Sequence, residues 1–156
     1  MKKLLLLVVM IICSYSAYSQ IDSTYYINSK KILDKYPKSR IKAEDLFESA
    51  KKIYDEKGII VPYKLAISQA IIETSLGNSG VGKNKNNPFS LNSKKGYKRY
   101  NQIKDGVLDY YYFISNGYLR CKSINELLTN FTNCKGYRYA ETRSYEAKLK
   151  RQYFAI

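Results

Sequence analysis

Apolar residues recur at three- and four-residue steps across positions 41–57, where Ala43, Leu46, Phe47, Ala50, Ile53 and Tyr54 share one face. Gly58 follows in the place of a helix-terminating glycine, so the segment predicts an amphipathic helix. Pro62 suits the first turn of a second helix, expected to run to about Leu76 with Gly77 as its stop. Its apolar residues Leu65, Ala66, Ile67, Ala70, Ile71 and Ile72 point in nearly every direction, which is the pattern of a buried central helix. The polar exceptions are Ser68, Gln69 and Glu73; the last two are four apart and share a face.

Beyond this helix the composition shifts to Gly, Asn, Ser and Lys over residues 78–102, with short strands expected at 89–91 and 97–100. A loop of that length inside a small domain is usually functional. Helical patterning resumes at 104–115, carried by Val107, Leu108, Tyr111, Tyr112 and Ile114. Two further helices are expected at 123–131, where Ser123 and Glu126 form a capping-box pair, and at 141–153. Residues 20–40 are polar without sustained periodicity, and read as a lead-in with at most a short helix.

The first nineteen residues change the picture of where the protein works. Lys2 and Lys3 precede an apolar run from Leu4, and a small-residue site at Ala17-Tyr18-Ser19 follows, the order of a cleavable export signal. The expected arrangement is a signal peptide at 1–19, the lead-in at 20–40 and one domain at 41–156, in a periplasmic or secreted protein. The apolar run is shorter than the roughly 20 residues that cross a bilayer. No membrane span is therefore expected after cleavage. Loss of Lys2 and Lys3 lowers the formal charge from +14 to +12, still a surface that attracts polyanions. Removal of Cys13 leaves Cys121 and Cys134, which either close one disulfide or stay as two buried thiols.

The chain has no histidine. A Ser-His-Asp or Cys-His relay therefore cannot be built, and Cys/His zinc sites lack ligands. No metal or cofactor is expected, and chemistry has to run on carboxylates, tyrosines or lysines. Glu73 is the acid best placed for it, in the last turn of a mostly buried helix. Burial and the negative end of the helix dipole both disfavour its charge, so its pKa should rise. A carboxyl that stays protonated near neutrality is what a general acid at a glycosidic bond requires.

Several short stretches, taken in order, carry a resemblance. "AISQAIIETSLGNS", "NNPFSL", "YKRYNQIKDGVLDYYYF" and "YRYAETRSYEAKL" together resemble glycoside hydrolase family 73, the bacterial glucosaminidases that hydrolyse peptidoglycan. The resemblance runs from about Ile41 to the C-terminus. It implies a mainly α, lysozyme-like α+β fold, a helical domain with a small Gly/Asn-rich β-hairpin lobe, acting on peptidoglycan glycan strands. It also implies that Glu73 is the catalytic acid and that Asn86, Asn87 and Phe89 line the cleft. Tyr100 then matches the aromatic of the hairpin, and Tyr139 and Tyr145 the late tyrosines, with Tyr139 at the reaction centre. Tyr97 and Tyr100 beside the loop are candidates for sugar stacking, and Gln69 for substrate binding below Glu73. Lys83, Lys85, Lys94, Lys95, Lys98 and Arg99 form a basic rim suited to stem-peptide carboxylates.

The departures from the family pattern are Leu76 in place of Trp, Thr74-Ser75 in place of Ser-Gly, and Ser90 in place of Gly. The larger one is a missing acid. Glycosidases usually pair two carboxylates, yet the 31 residues from Thr74 to Lys104 contain none. Three resolutions stay open: help from the substrate's own 2-acetamido group, a later acid such as Asp105 or Glu141 reaching the cleft, or glycan binding without cleavage. A noncatalytic peptidoglycan-binding module and a basic polyanion-binding protein are the alternative functions. Nucleic acid is not expected as a partner, because the export signal and the gathering of the motifs around an Asn-rich loop count against it.

Overall fold

A computed structural model describes residues 21–142 and 144–156; the expected signal peptide lies outside them. The domain is mainly helical, with seven α-helices and one two-stranded antiparallel hairpin among the described residues, in a lysozyme-like arrangement.

The helix carrying Glu73 spans Tyr63–Thr74 and is α3 in chain order. Leu65, Ala66, Ile67 and Ala70 are wholly buried, as its all-round apolar pattern requires, and so are Ser68 and Gln69. The helix ends before the expected Gly77 because Ser75 (φ 51°) and Leu76 (φ 58°) turn left-handed, ahead of Gly77 at φ 86°. The Ser75 and Leu76 amides donate back to Ile71 O (3.1 Å) and Ala70 O (2.9 Å), closing the helix. Leu76 is buried, an apolar plug at the turn.

Among the described residues, two helices precede α3. Helix α1 (Ser23–Leu33) is capped by Asp22, whose side chain accepts from the Thr24 amide at 2.8 Å. Helix α2 (Ala43–Lys57) stops at Gly58, left-handed at φ 64° with its amide on Tyr54 O at 2.7 Å. The lead-in thus contributes an eleven-residue helix that packs on α2 and buries Tyr25, Ile32 and Leu33. Its weak periodicity concealed a polar anchor: Tyr25 donates to Val61 O (2.9 Å) and shares a hydroxyl–hydroxyl bond with Tyr111 (2.7 Å).

After α3 the loop contains an unexpected short helix, α4 (Gly80–Lys85), and then strands β1 (Asn92–Ser93) and β2 (Gly96–Tyr97). Asn92 pairs with Tyr97 and Ser93 with Gly96. The strands are shorter than expected and shifted toward the turn. The apolar Phe89 and Leu91 that suggested a strand are instead core anchors, and the Phe89 ring stacks on Tyr110 at 3.7 Å. Helix α5 (Ile103–Ile114) follows and runs into a π-helical turn, Ser115–Leu119. Helix α6 (Ile124–Thr129) opens with the expected Ser123–Glu126 box, and α7 (Tyr145–Ala155) packs on α3 and α6. Cys121 and Cys134 are joined in a disulfide that ties the end of the π-turn to the segment before α7.

Candidate active site

A cleft of about 410 Å³ opens at the C-terminal end of α3. Glu73 reaches it from the helix, Ser90, Leu91 and Tyr97 from the hairpin lobe, and Phe113 from the last turn of α5. Tyr139, Ala140 and Glu141 complete it from the segment before α7. A second groove of about 490 Å³ lies between residues 35–39 and the Ile71–Leu76 side of α3, and among the described residues no carboxylate lines it.

Below Glu73, one helical turn earlier, Gln69 is fully buried and both ends of its amide are used. Tyr110 donates its hydroxyl to Gln69 Oε1, and Gln69 Nε2 donates to the Tyr145 hydroxyl at 2.8 Å. This fixes the amide's orientation and ties α5 and α7 to the central helix. Gln69 therefore braces the site from behind and does not face the cleft. Burial pushes the Glu73 carboxyl above the usual carboxylate range, and hydrogen bonding from the Tyr145 and Ser90 hydroxyls only partly opposes the rise. Burial also pushes the Tyr139, Tyr145 and Tyr110 hydroxyls up, and Tyr118 to about 12. Glu73 is thus surrounded by uncharged hydroxyls, and among the described residues no Lys or Arg lines its cleft.

The residues after Glu73 hold the lobe in place. Thr74 Oγ1 donates to Pro88 O at 2.7 Å and accepts the Gly77 amide at 3.0 Å. Gly82 lies so close that a Cβ there would meet the Thr74 side chain at 2.6 Å, which explains glycine at that place. Asn86 and Asn87 serve the loop itself. Asn86 donates to Tyr100 O and Asn101 O, each at 3.0 Å. Buried Asn87 donates to Leu91 O (2.8 Å) and Lys98 O (3.0 Å) and accepts the Leu91 amide at 2.8 Å. These bonds stand in for the strand ladder that so short a hairpin cannot supply.

The expected site residues thus separate by place. Glu73, Phe89, Tyr97 and Tyr139 line the cleft, and Tyr145 lies against Glu73 behind it. Tyr139 donates to Phe89 O at 3.1 Å, bridging the two walls. Tyr100 turns away to donate to Asp109 at 2.6 Å. Of the basic rim, Lys98 pairs with Asp109 (2.7 Å), Arg99 donates to Asn84 O, and Lys85 donates to Tyr97 O. Asp105 caps α5 by accepting the Gln102 amide at 3.0 Å.

Two contributors escaped the sequence reading. Arg40 donates to Gly77 O, Gly82 O, Lys83 O and, at 2.8 Å, Asn86 Oδ1, clamping the whole segment after Glu73. In the sequence it is one cation among several, with Lys35, Lys38 and Lys42 close by, and carries no signal of its own. Phe113 sits outside the stripe of α5 that marked the core, and is 40 % exposed beside Tyr118 and Tyr139. Among the described residues, no group of His, Cys, Asp and Glu is arranged to hold a metal ion.

The fold and site together are those of a mainly helical lysozyme-like domain with a half-buried acid at the head of a cleft. Over residues 47–154 the chain matches the Glucosaminidase family, described as mannosyl-glycoprotein endo-beta-N-acetylglucosaminidase, and it is a member of that family. No curated protein matches the chain.

Proposed function

We propose that this protein is an exported peptidoglycan hydrolase that cleaves β-1,4 glycosidic bonds of the glycan strand, with Glu73 as the general acid. The observation that carries this reading is the place of Glu73: half-buried at the helix end, with burial raising its pKa, and open to a cleft lined by hydroxyls and rings. The upward shift favours the protonated form, the one that can give a proton to the leaving glycosidic oxygen. Tyr97, 47 % exposed on the hairpin, offers a ring face for a sugar, and Phe113 offers a second from α5. Tyr139 lies beside the reacting carboxyl and orients the sugar or a water there. Family membership supports the glycosidase class.

Export is supported by two features, the leader-like residues 1–19 and the Cys121–Cys134 disulfide, which persists in an oxidising compartment. Among the described residues, no helix is long and apolar enough to cross a membrane.

The test is release of reducing sugar from purified peptidoglycan by wild type and Glu73→Gln. Loss of a general acid lowers kcat by roughly 10²–10⁴-fold. Equal turnover by the two proteins would refute the assignment, and binding without turnover by wild type would favour a noncatalytic wall-binding module.

A further inference from the structure

The 31 residues from Thr74 to Lys104 contain no acid, so the hairpin lobe cannot supply a second carboxylate. The acids of the neighbouring elements are engaged elsewhere. Asp105 caps α5 and lies in a separate groove with Asp45 and Glu48. Asp109 is held by Lys98 and Tyr100. Glu146 accepts from Arg138 at 2.7 Å and from the Phe131 amide at 3.2 Å.

Glu141 is different. It lines the same cleft as Glu73, two residues after Tyr139, and is exposed; among the described residues nothing bonds to its carboxylate. It sits in a bend between two fixed points: Tyr139, bonded to Phe89 O, and Glu146 in α7, whose ion pair with Arg138 closes the segment onto that helix. The cleft therefore holds two carboxyl groups in unlike surroundings, one half-buried at a helix end and one solvated at the rim. That is the asymmetry by which a pair of acids divides into proton donor and proton acceptor.

We infer that Glu141 is the second catalytic carboxylate of this site and acts as the base that activates the attacking water. The inference rests on the glycosidase reading above. Glu73 gives its proton to the glycosidic oxygen as the bond from that oxygen to the sugar C1 breaks. A water oxygen bonds to C1 from the opposite face, and its proton passes to Glu141. Glu73 ends as carboxylate and Glu141 as carboxylic acid, and exchange with solvent restores both. The product is inverted at C1.

The experiment uses the mature protein and soluble oligosaccharides of alternating N-acetylglucosamine and N-acetylmuramic acid, with anomers followed by NMR. Glu141→Gln is expected to lower kcat at least 100-fold, with KM changed less than threefold and an unchanged melting temperature. Glu141→Ala should recover activity with added azide, yielding a glycosyl azide, whereas Glu73→Gln should not. The first product of wild type should be the α-anomer. Wild-type kcat in Glu141→Gln, a loss confined to KM, or a β-anomeric first product would each overturn the role of Glu141 and leave Glu73 as acid intact. A wild type that releases no sugar would overturn the glycosidase reading itself.

Discussion

Replacing Tyr145 by Phe should separate the structural from the chemical work of the network behind Glu73. The hydroxyl of Tyr145 accepts from Gln69 Nε2 at 2.8 Å, and Gln69 has no exposed surface. Its carbonyl oxygen is already taken by Tyr110, so the amide cannot flip to find another partner for its N–H without breaking that bond. The Tyr145→Phe substitution would leave a buried N–H unsatisfied, at a cost of about 1–3 kcal/mol. Taking ~2 kcal/mol, and an unfolding entropy of ~2.1 cal/mol/K per residue over roughly 137 residues, the melting temperature should fall by about 7 °C.

The same substitution acts on Glu73 in the opposite sense to a simple loss of function. Tyr145 is one of two hydroxyls that hold the Glu73 carboxyl down against burial. Without it, the carboxyl should keep its proton to higher pH, and the alkaline limb of the kcat profile should move up. Differential scanning calorimetry and pH–rate profiles of wild type, Tyr145→Phe, Gln69→Leu and the double variant give both readouts. Stability effects should be non-additive by about 1 kcal/mol, because the two residues share one bond. An unchanged melting temperature would mean that the hydroxyl does not satisfy Gln69, and a limb that moves down would mean that it does not favour the charged acid; either would refute the reasoning.

Two further outcomes follow from the geometry. Glu73 has a folded-state pKa above that of a carboxyl in the unfolded chain, so the native state holds its proton more tightly. Its contribution to stability is complete below the unfolded value of about 4.3 and is lost as pH rises through the folded value. Glu73→Gln should therefore gain stability over wild type at neutral pH and lose that advantage in acid; a difference independent of pH in urea titrations would contradict the assignment. Removing the disulfide with Cys121→Ser and Cys134→Ser together should cost about 3 kcal/mol, the loop-closure value for a separation of 13 residues. Thermal melts should show it, and a shift under about 2 °C would mean that the pairing constrains little.

Helices were legible where one face of the sequence is apolar: α2, α5 and α7 appear near their expected places, and Gly58 ends α2. α3 was legible for the opposite reason, an apolar character all round. The 78–102 segment was not, because its order comes from side-chain amides. Asn86 and Asn87 read from the sequence as cleft residues, yet their hydrogen bonds close the loop, a role that periodicity cannot reveal. Arg40 was illegible for a related reason, since its four acceptors are backbone and amide oxygens 37 to 46 residues further along the chain. The place of Glu73 at a cleft was legible because a carboxylate at the end of an apolar helix is costly to bury without an outlet or a partner.

The elements that carry the two cleft acids account for their difference. A residue in the last turn of α3 inherits the burial of that helix, and the Tyr145 and Ser90 hydroxyls hold its carboxyl. A residue in the bend before α7 inherits no such shell, since its neighbours are held through Tyr139 and Arg138 and not through its own side chain. The two places differ in burial and in hydrogen-bond partners, and neither acid has a charged partner among the described residues lining the cleft. If Glu73 and Glu141 act as the proposed donor and acceptor, the depth of each element is what separates them, in a site without histidine and with no Lys or Arg among its described lining residues.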